Sequence, residues 1–191
     1  NGITRMFPFS HIEYDGIVML NTDYDVLITK TIDNVKKVFP KTDKAMLIKD
    51  LHEILVEGIF VGGQYRKVNV QITNSRHQPP DYIKVYDRMA KFFYDLDNFK
   101  GTAVSKGAFA HAQIFKIYPY LEGNRRLARL VLNYYLMYQG YMPISIPISD
   151  KESYLNIIDT FKEEKDLKPF ELYIYNLMLK SYEKYIEILE K

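Results

Sequence analysis

Cysteine is absent from this chain of 191 residues. That absence excludes disulfide bonds, thiolate catalysis and cysteine-based zinc sites. The sequence also lacks any run of about 18 apolar residues, the length that a membrane span needs, so we expect no membrane association. Its first ten residues, NGITRMFPFS, lack the basic-then-apolar order of a secretory signal. We therefore expect a cytoplasmic protein, with secretion as an effector left open.

The chain also lacks an excess of charge of either sign. Lys and Arg number 26 against 24 for Asp and Glu, which gives a formal net charge of +2. Since there is no dense Lys/Arg run either, the sequence argues against a nucleic-acid partner. The length and the hydrophobic content of 47% are those of one soluble domain spanning 1–191.

Apolar residues recur at helical spacing through most of the chain. They predict helices at about 21–39, 43–59, 80–97, 105–118, 124–138, 150–164 and 169–190. The helices at 105–118 and 124–138 are apolar over most of their circumference, which is typical of central, buried helices. The helix at 80–97 is expected to bury one stripe, made of Ile83, Tyr86, Met89, Ala90 and Phe93.

One stretch has apolar residues at every second position instead of at helical spacing. Val68, Val70 and Ile72 alternate with polar residues, and the segment TNSR that follows can turn the chain back. This pattern predicts a short strand within a β-hairpin. The fold class is therefore all-α with one small β-hairpin.

The segment YPYLEGNRRLAR, 118–129, connects the two central helices and carries candidate chemistry. Gly123 permits a tight turn and close approach of a ligand, and Asn124 is a good helix cap. The free N–H groups of the following turn form a ready anion site, which Arg126 and Arg129 can reach from one helix face. Glu122 offers an oxygen ligand for Mg²⁺. Structural ion pairing of the arginines remains an open alternative.

The same segment resembles the signature of the Fic family, His-x-Phe-x-(Asp/Glu)-Gly-Asn-(Gly/Lys)-Arg-x-x-Arg. Tyr120 stands in the place of the aromatic residue. The stretches LHEILVEGIFVGGQYRKVNVQI, HAQIFKIYPY and LVLNYYLMYQGY also resemble the family, so that the resemblance covers about residues 45–160. It implies one Fic-type domain with a helical extension at 1–40 and C-terminal helices at 150–190. The matching signature residues are Pro119, Glu122, Gly123, Asn124, Arg126 and Arg129.

Most Fic enzymes transfer AMP from ATP to a Ser, Thr or Tyr hydroxyl of a target protein. The resemblance implies that Glu122 holds Mg²⁺ between phosphates, and that the backbone of residues 123–125 cradles the anion. It assigns Arg126 to the β-phosphate side and Arg129 to the far phosphate. ATP with Mg²⁺ is the expected cofactor, and a homo-oligomer is an open alternative.

The resemblance also implies a flap at about 68–77 that aligns a protein target by strand-like pairing. Its residues would include Val68, Val70, Ile72 and His77. We treat His77 as a weak candidate for a catalytic histidine because flaps bind targets.

Tyr118 stands where the family has its catalytic general base, a histidine. A histidine with a pKa near 6.5 can accept a proton at pH 7, whereas a tyrosine with a pKa near 10 is protonated. We therefore expect an impaired or inactive transferase; the alternative is a non-catalytic module that binds nucleotide or a protein partner. Arg125, at the family's Gly/Lys position, is a second departure, and the arginines could lower the pKa of Tyr118.

Three other residues have predicted roles. His111 and His52 lie on helices and are expected to be packing residues. Glu13, in FSHIEYDG, partly resembles the glutamate with which many Fic proteins restrain themselves. A pairing of Glu13 with Arg129 is a hypothesis, and an exposed position for Glu13 is its alternative.

Overall fold

A computed structural model describes residues 44–72 and 77–190. Over these residues the chain forms six α-helices, and the helix predicted at 21–39 lies outside them. Short 3₁₀ turns at Tyr82–Lys84 and Ile148–Asp150 lead into two of the helices. None of the described helices is long and apolar enough to cross a membrane. The helices are α1 (Lys44–Leu55), α2 (Val85–Asp97), α3 (Ala103–Ile117), α4 (Asn124–Tyr138), α5 (Lys151–Glu164) and α6 (Lys168–Leu189).

Helices α3 and α4 form the centre of the fold, as the sequence predicts. They pack against each other, and α3 is buried on most sides because it contributes to the core on both of its flanks. Their close approach requires Gly107, where an added Cβ would lie 2.9 Å from Leu132 Cδ1 and 3.2 Å from the Leu132 carbonyl oxygen. The two central helices therefore hold the loop between them in a fixed place.

Two hydrophobic clusters flank this central pair. The first joins α1 and α2 to α3 and α4, with Met89, Ile114 and Leu127 among its fully buried side chains. The second joins α5 and α6 to the other side of the same pair, around Phe115 and Phe170. The loop between α3 and α4 contributes Tyr120 to the first cluster. The loop that carries the candidate site is thus packed into the hydrophobic core.

The predicted buried stripe at 80–97 is correct at Met89, while Phe93 is half-buried and Ile83, Tyr86 and Ala90 are exposed. Ile83 and Tyr86 are 71% and 69% exposed. Aromatic and apolar residues occupy two neighbouring arcs of this helix, and a tyrosine can stay in contact with water through its hydroxyl. Periodicity alone could not choose between the two arcs. The buried residues are Val85, Met89, Phe92 and Leu96.

Helix α1 ends earlier than predicted. It stops at Leu55, and Gly58 follows with a positive φ of 76°. Glycine adopts this left-handed conformation readily, and it commonly ends helices. Ile59, predicted to continue the apolar stripe, is exposed.

The predicted β-hairpin is not formed by the residues that the structure describes, although residues 73–76 at its turn lie outside them. Val68 is exposed, Val70 half-buried and Ile72 buried. The guanidinium of Arg66 takes the Val68 and Pro80 carbonyls as acceptors, which removes them from a strand ladder. The two prolines at 79–80 have no N–H to donate to such a ladder. The segment 68–72 has an alternating sequence, but it finds no neighbouring strand to pair with among the described residues.

The connector after α4 depends on one buried side chain. Asn133 donates to the Ile144 carbonyl and accepts from the Ile144 N–H, both at 2.9 Å. We predict that Asn133→Ala lowers the free energy of unfolding by about 2–3 kcal/mol, because it leaves two buried backbone groups without their partner. Urea denaturation measures this change. Asn156→Ala, at an exposed position of α5, is the control; equal stability losses in the two variants would contradict the prediction.

Candidate functional site

The loop 118–123 reverses the chain between α3 and α4 through two left-handed residues. Tyr118 ends α3 with φ 51° and ψ 59°, and its N–H donates to the Ile114 carbonyl at 2.8 Å. Gly123 precedes α4 with φ 78°. A left-handed conformation is strained for a bulky residue such as tyrosine. The surrounding contacts must therefore hold Tyr118 in this position.

Asn124 closes the loop from inside. Its side chain accepts from the Tyr120 N–H at 2.9 Å and donates to the Tyr120 carbonyl at 2.8 Å. The prediction that Asn124 caps the helix is wrong, since Gly123 is the cap and Asn124 is the first helical residue. Asn124 is fully buried and both polar groups of its side chain are paired, so that this side chain is not offered to a ligand.

The start of α4 is capped by a buried glycine. No side chain of the described residues caps it by a hydrogen bond. An added Cβ at Gly123 would lie 2.9 Å from Val56 Cγ1 and 3.4 Å from His52 Nε2. Both the positive φ and the lack of space therefore require glycine here. The first N–H groups of α4 have no intrahelical acceptors, and they can bind an anion at this end.

His52 joins α1 to the loop. Its Nδ1 accepts from the Gly63 N–H at 3.0 Å, so that Nε2 carries the proton and donates to the Glu122 carbonyl at 2.9 Å. The imidazole also stacks on Tyr120, with ring centroids 3.6 Å apart. Burial lowers the pKa of His52; the Glu122 bond opposes this effect, and nearby Arg126 lowers the pKa further. The expected packing role therefore includes positioning the loop.

Arg66 holds the other end of the loop, a role that the sequence pattern does not indicate. Its Nε donates to the Tyr118 carbonyl and its Nη1 to the Val68 carbonyl, both at 2.9 Å; Nη2 donates to the Pro80 carbonyl. The Arg66 backbone N–H donates to the Pro119 carbonyl at 2.9 Å. Burial lowers the pKa of this guanidinium, which is only 3% exposed. The one sequence signal was its place in the segment GQYR.

The predicted metal and phosphate residues surround the start of α4. Glu122 and Arg126 are exposed, while Arg125 and Arg129 are half-buried. The described residues contain no group of three or more His, Asp or Glu side chains that could hold a metal ion. Glu122 is an exposed carboxylate of the loop, and Mg²⁺ is usually bound by one or two carboxylates together with phosphate oxygens.

Tyr118 is half-buried, and its neighbours do not make it a base. Burial raises the pKa of Tyr118 and Glu122 raises it too, whereas the charge of Arg125 and its hydrogen bond lower it. The net direction is upward, so the phenol is protonated at neutral pH. The alternative that arginines lower the pKa of Tyr118 enough for catalysis is not supported by this balance.

The remaining predicted residues lie in other places. His111 is fully buried in the second cluster, where its Nε2 lies 2.8 Å from the Tyr154 hydroxyl, as expected for a packing residue. His77 donates from Nε2 to the Lys116 carbonyl near the end of α3, at 2.7 Å. Glu13 lies outside the described residues, so that its pairing with Arg129 stays a hypothesis.

Comparison with known proteins gives the class of protein. A sequence model of the Fic/DOC family matches residues 43–136. The Protein adenylyltransferase Fic of Drosophila grimshawi is 29% identical over 128 residues, covering 65% of this chain and 26% of that protein. Its counterpart in Drosophila persimilis is 28% identical over 128 residues, with 65% and 25% covered. This chain spans about a quarter of the length of these relatives. The chain belongs to the Fic family.

Solved structures share the fold at lower identity. A Fic domain containing signaling protein from Bacteroides thetaiotaomicron superposes with a TM-score of 0.69 at 21% identity, covering 94% of this chain and 79% of that one. Fic-1 from C. elegans also gives 0.69 at 21% identity, with 99% and 58% covered. The helical architecture described above is therefore the Fic fold.

The buried neutral histidine makes stability depend on pH. Because the pKa of His52 is lowered in the folded chain, the unfolded chain binds the proton more readily below about pH 6.5. The stabilising effect of His52 is thus complete above this pH and declines as the pH falls. We predict that His52→Gln, which loses the acceptor for Gly63, costs about 1–3 kcal/mol of unfolding free energy at pH 7.5 and less at pH 5.5.

Urea denaturation of both proteins at the two pH values measures the difference. His52→Asn is a matched variant, because its amide oxygen can replace Nδ1 as the acceptor for Gly63 while the donor to Glu122 is lost. It should show the same reduction of pH dependence. A wild-type advantage that stays constant between pH 7.5 and 5.5 would show that His52 is not the titrating group.

Proposed function

We propose that the chain binds ATP with Mg²⁺ at the start of α4, and that it is a Fic-type adenylyltransferase domain whose transfer reaction is impaired by Tyr118. The observation that carries this proposal is the glycine-capped start of α4, which no described side chain caps, with Glu122 exposed before it and Arg126 exposed in its first turn. The named adenylyltransferases among its relatives support the same reaction class.

The phosphate-binding part of the proposal follows from charge and shape. The backbone N–H groups of residues 123–125 and the helix dipole favour an anion at this end. Arg126 and Arg129 lie three residues apart, so that both can face one polyphosphate chain. Without an anion, positive side chains at a helix start are unfavourable by about 0.3–1 kcal/mol each. A bound polyphosphate reverses that contribution.

The metal-binding part depends on Glu122. Its side chain is exposed, and its carbonyl is fixed by His52. When bound, Mg–ATP would supply the α-phosphoryl group and release pyrophosphate. Glu122 is the carboxylate of the loop that can hold the cation between phosphate oxygens.

Adenylyl transfer also needs a proton acceptor. The oxygen of a target hydroxyl forms a bond to the α-phosphorus, the bond to pyrophosphate breaks, and the hydroxyl proton must leave. Tyr118 occupies the position where a base would take that proton, and its raised pKa keeps it protonated. Loss of a general base typically lowers the rate by about 10²–10⁴.

The same observation favours a second function, a non-catalytic module. A protonated Tyr118 leaves the phosphate site intact while removing the proton acceptor. Such a module would bind nucleotide or a protein partner. The segment at 64–72, which forms no strand among the described residues and exposes Val68, supports a docking role for this region.

Calorimetry with ATP and Mg²⁺ tests the nucleotide proposal. We predict binding by the wild-type chain and an affinity at least about tenfold lower for Arg129→Ala, because a charged phosphate contact is lost. Labelled-ATP transfer by the wild-type chain is expected to be undetectable or very slow.

Arg88→Ala is the matched control, since Arg88 is exposed on α2 and lies outside the loop. It should bind ATP within about twofold of the wild-type chain. If the wild-type chain releases no heat with ATP and Mg²⁺, or if the two variants bind equally, the proposed site is wrong.

A further inference from the structure

The two departures from the family signature, Tyr118 and Arg125, contact each other. The charge of Arg125 and a side-chain hydrogen bond from it both lower the pKa of the Tyr118 phenol, which places the two side chains next to each other. As a guanidinium has no acceptor, Arg125 must donate and the phenol oxygen must accept. The sequence places these residues seven positions apart, on opposite sides of the loop. Their contact is a feature of the fold and not of local sequence.

Phe115 completes this arrangement. The guanidinium carbon of Arg125 lies 5.6 Å from the centre of the Phe115 ring, within the range of a cation–π contact. The Phe115 and Tyr118 rings meet edge to face, with centroids 6.4 Å apart. Both aromatic residues belong to the end of α3. The Arg125 side chain is therefore directed back onto α3 by two independent contacts.

We infer that Arg125 is a positioning residue that acts through residue 118, and that its side chain belongs to the end of α3 and not to the phosphate site. Its backbone N–H stays in the proposed cradle. Only the consequence of this contact for AMP transfer rests on the proposed function. The contact itself is a property of the folded chain.

This contact has a consequence for catalysis. A base at position 118 needs a free lone pair to take the proton of the target hydroxyl. If Tyr118 is replaced by His, the guanidinium of Arg125 can donate to the imidazole nitrogen that should accept that proton. It also adds a positive charge that disfavours protonation of the imidazole. Restoring the histidine alone therefore leaves the base blocked.

A double-mutant cycle on folding tests the contact without nucleotide. Tyr118→Phe removes only the hydroxyl, and Arg125→Met removes the charge at similar length. Because the bond involves a charged donor, we expect the two changes to be non-additive by about tenfold in the unfolding equilibrium constant. Additive effects would overturn the inference, whatever the result with ATP.

Two matched controls accompany the cycle. Tyr120→Phe removes a buried hydroxyl that has no hydrogen-bond partner among the described residues. Arg126→Met removes an exposed arginine next to Arg125 in sequence. The pairs Tyr120→Phe with Arg125→Met, and Tyr118→Phe with Arg126→Met, should both be additive. Equal coupling in these pairs would show a general effect of the loop and would contradict a specific Tyr118–Arg125 contact.

Transfer of labelled AMP tests the catalytic consequence. We expect Tyr118→His alone to stay close to the wild-type level, and Tyr118→His with Arg125→Gly to be at least about tenfold faster. Equal rates in the single and the double variant, when ATP binds to both, would show that Arg125 does not block the base. Absence of ATP binding would instead contradict the proposed function, and the folding cycle would still decide whether the contact exists.

Discussion

The Asn124 side chain binds both backbone groups of Tyr120, and the rest of the site depends on this closure. It holds the loop in a tight reversal between two buried helices, so that Glu122 and Arg126 are exposed on either side of the buried glycine cap of α4. Two further contacts fix the loop ends: His52 binds the Glu122 carbonyl, and Arg66 binds the Tyr118 carbonyl. All three side chains are buried. The loop therefore has a defined shape before any ligand binds, which lowers the ordering cost of binding.

The loop residues that match the Fic signature and those that depart from it lie on different sides of the loop. The start of α4, with Glu122 and Arg126 exposed beside it, carries the residues of the proposed anion site. Tyr118 and Arg125 instead pair at the end of α3, next to Phe115. Under the proposed function, a change in the proton-accepting residue would leave the phosphate-binding groups in place. The proton acceptor and the nucleotide site could then be lost independently.

Much of the architecture was predictable because the central helices carry strong periodic patterns. Helix α4 has the predicted bounds of 124–138, and α3, α5 and α6 end within one or two residues of the prediction. The face of α2 was not predictable, because tyrosine is amphipathic and two arcs of the helix looked equally apolar. The hairpin pattern at Val68 was misleading, since Arg66 binds the carbonyls that a ladder would use.

The positioning contacts could not be predicted from local sequence. His52 and Arg66 bind loop carbonyls that lie 70 and 52 residues away along the chain. Spacing rules reach only neighbouring turns of a helix, so that neither residue could be assigned its partner. The contact between Tyr118 and Arg125 is hidden for the same reason, because the loop between them brings them together only in the folded chain.

A crystal structure with Mg²⁺ and a non-hydrolysable ATP analogue tests the central claim most directly. We expect the triphosphate to lie against the backbone N–H groups of residues 123–125, with Arg126 and Arg129 on its oxygens. We also expect the Arg125 side chain to stay on Tyr118 and Phe115. A triphosphate bound elsewhere, or an Arg125 side chain moved onto the phosphates, would contradict the proposed site.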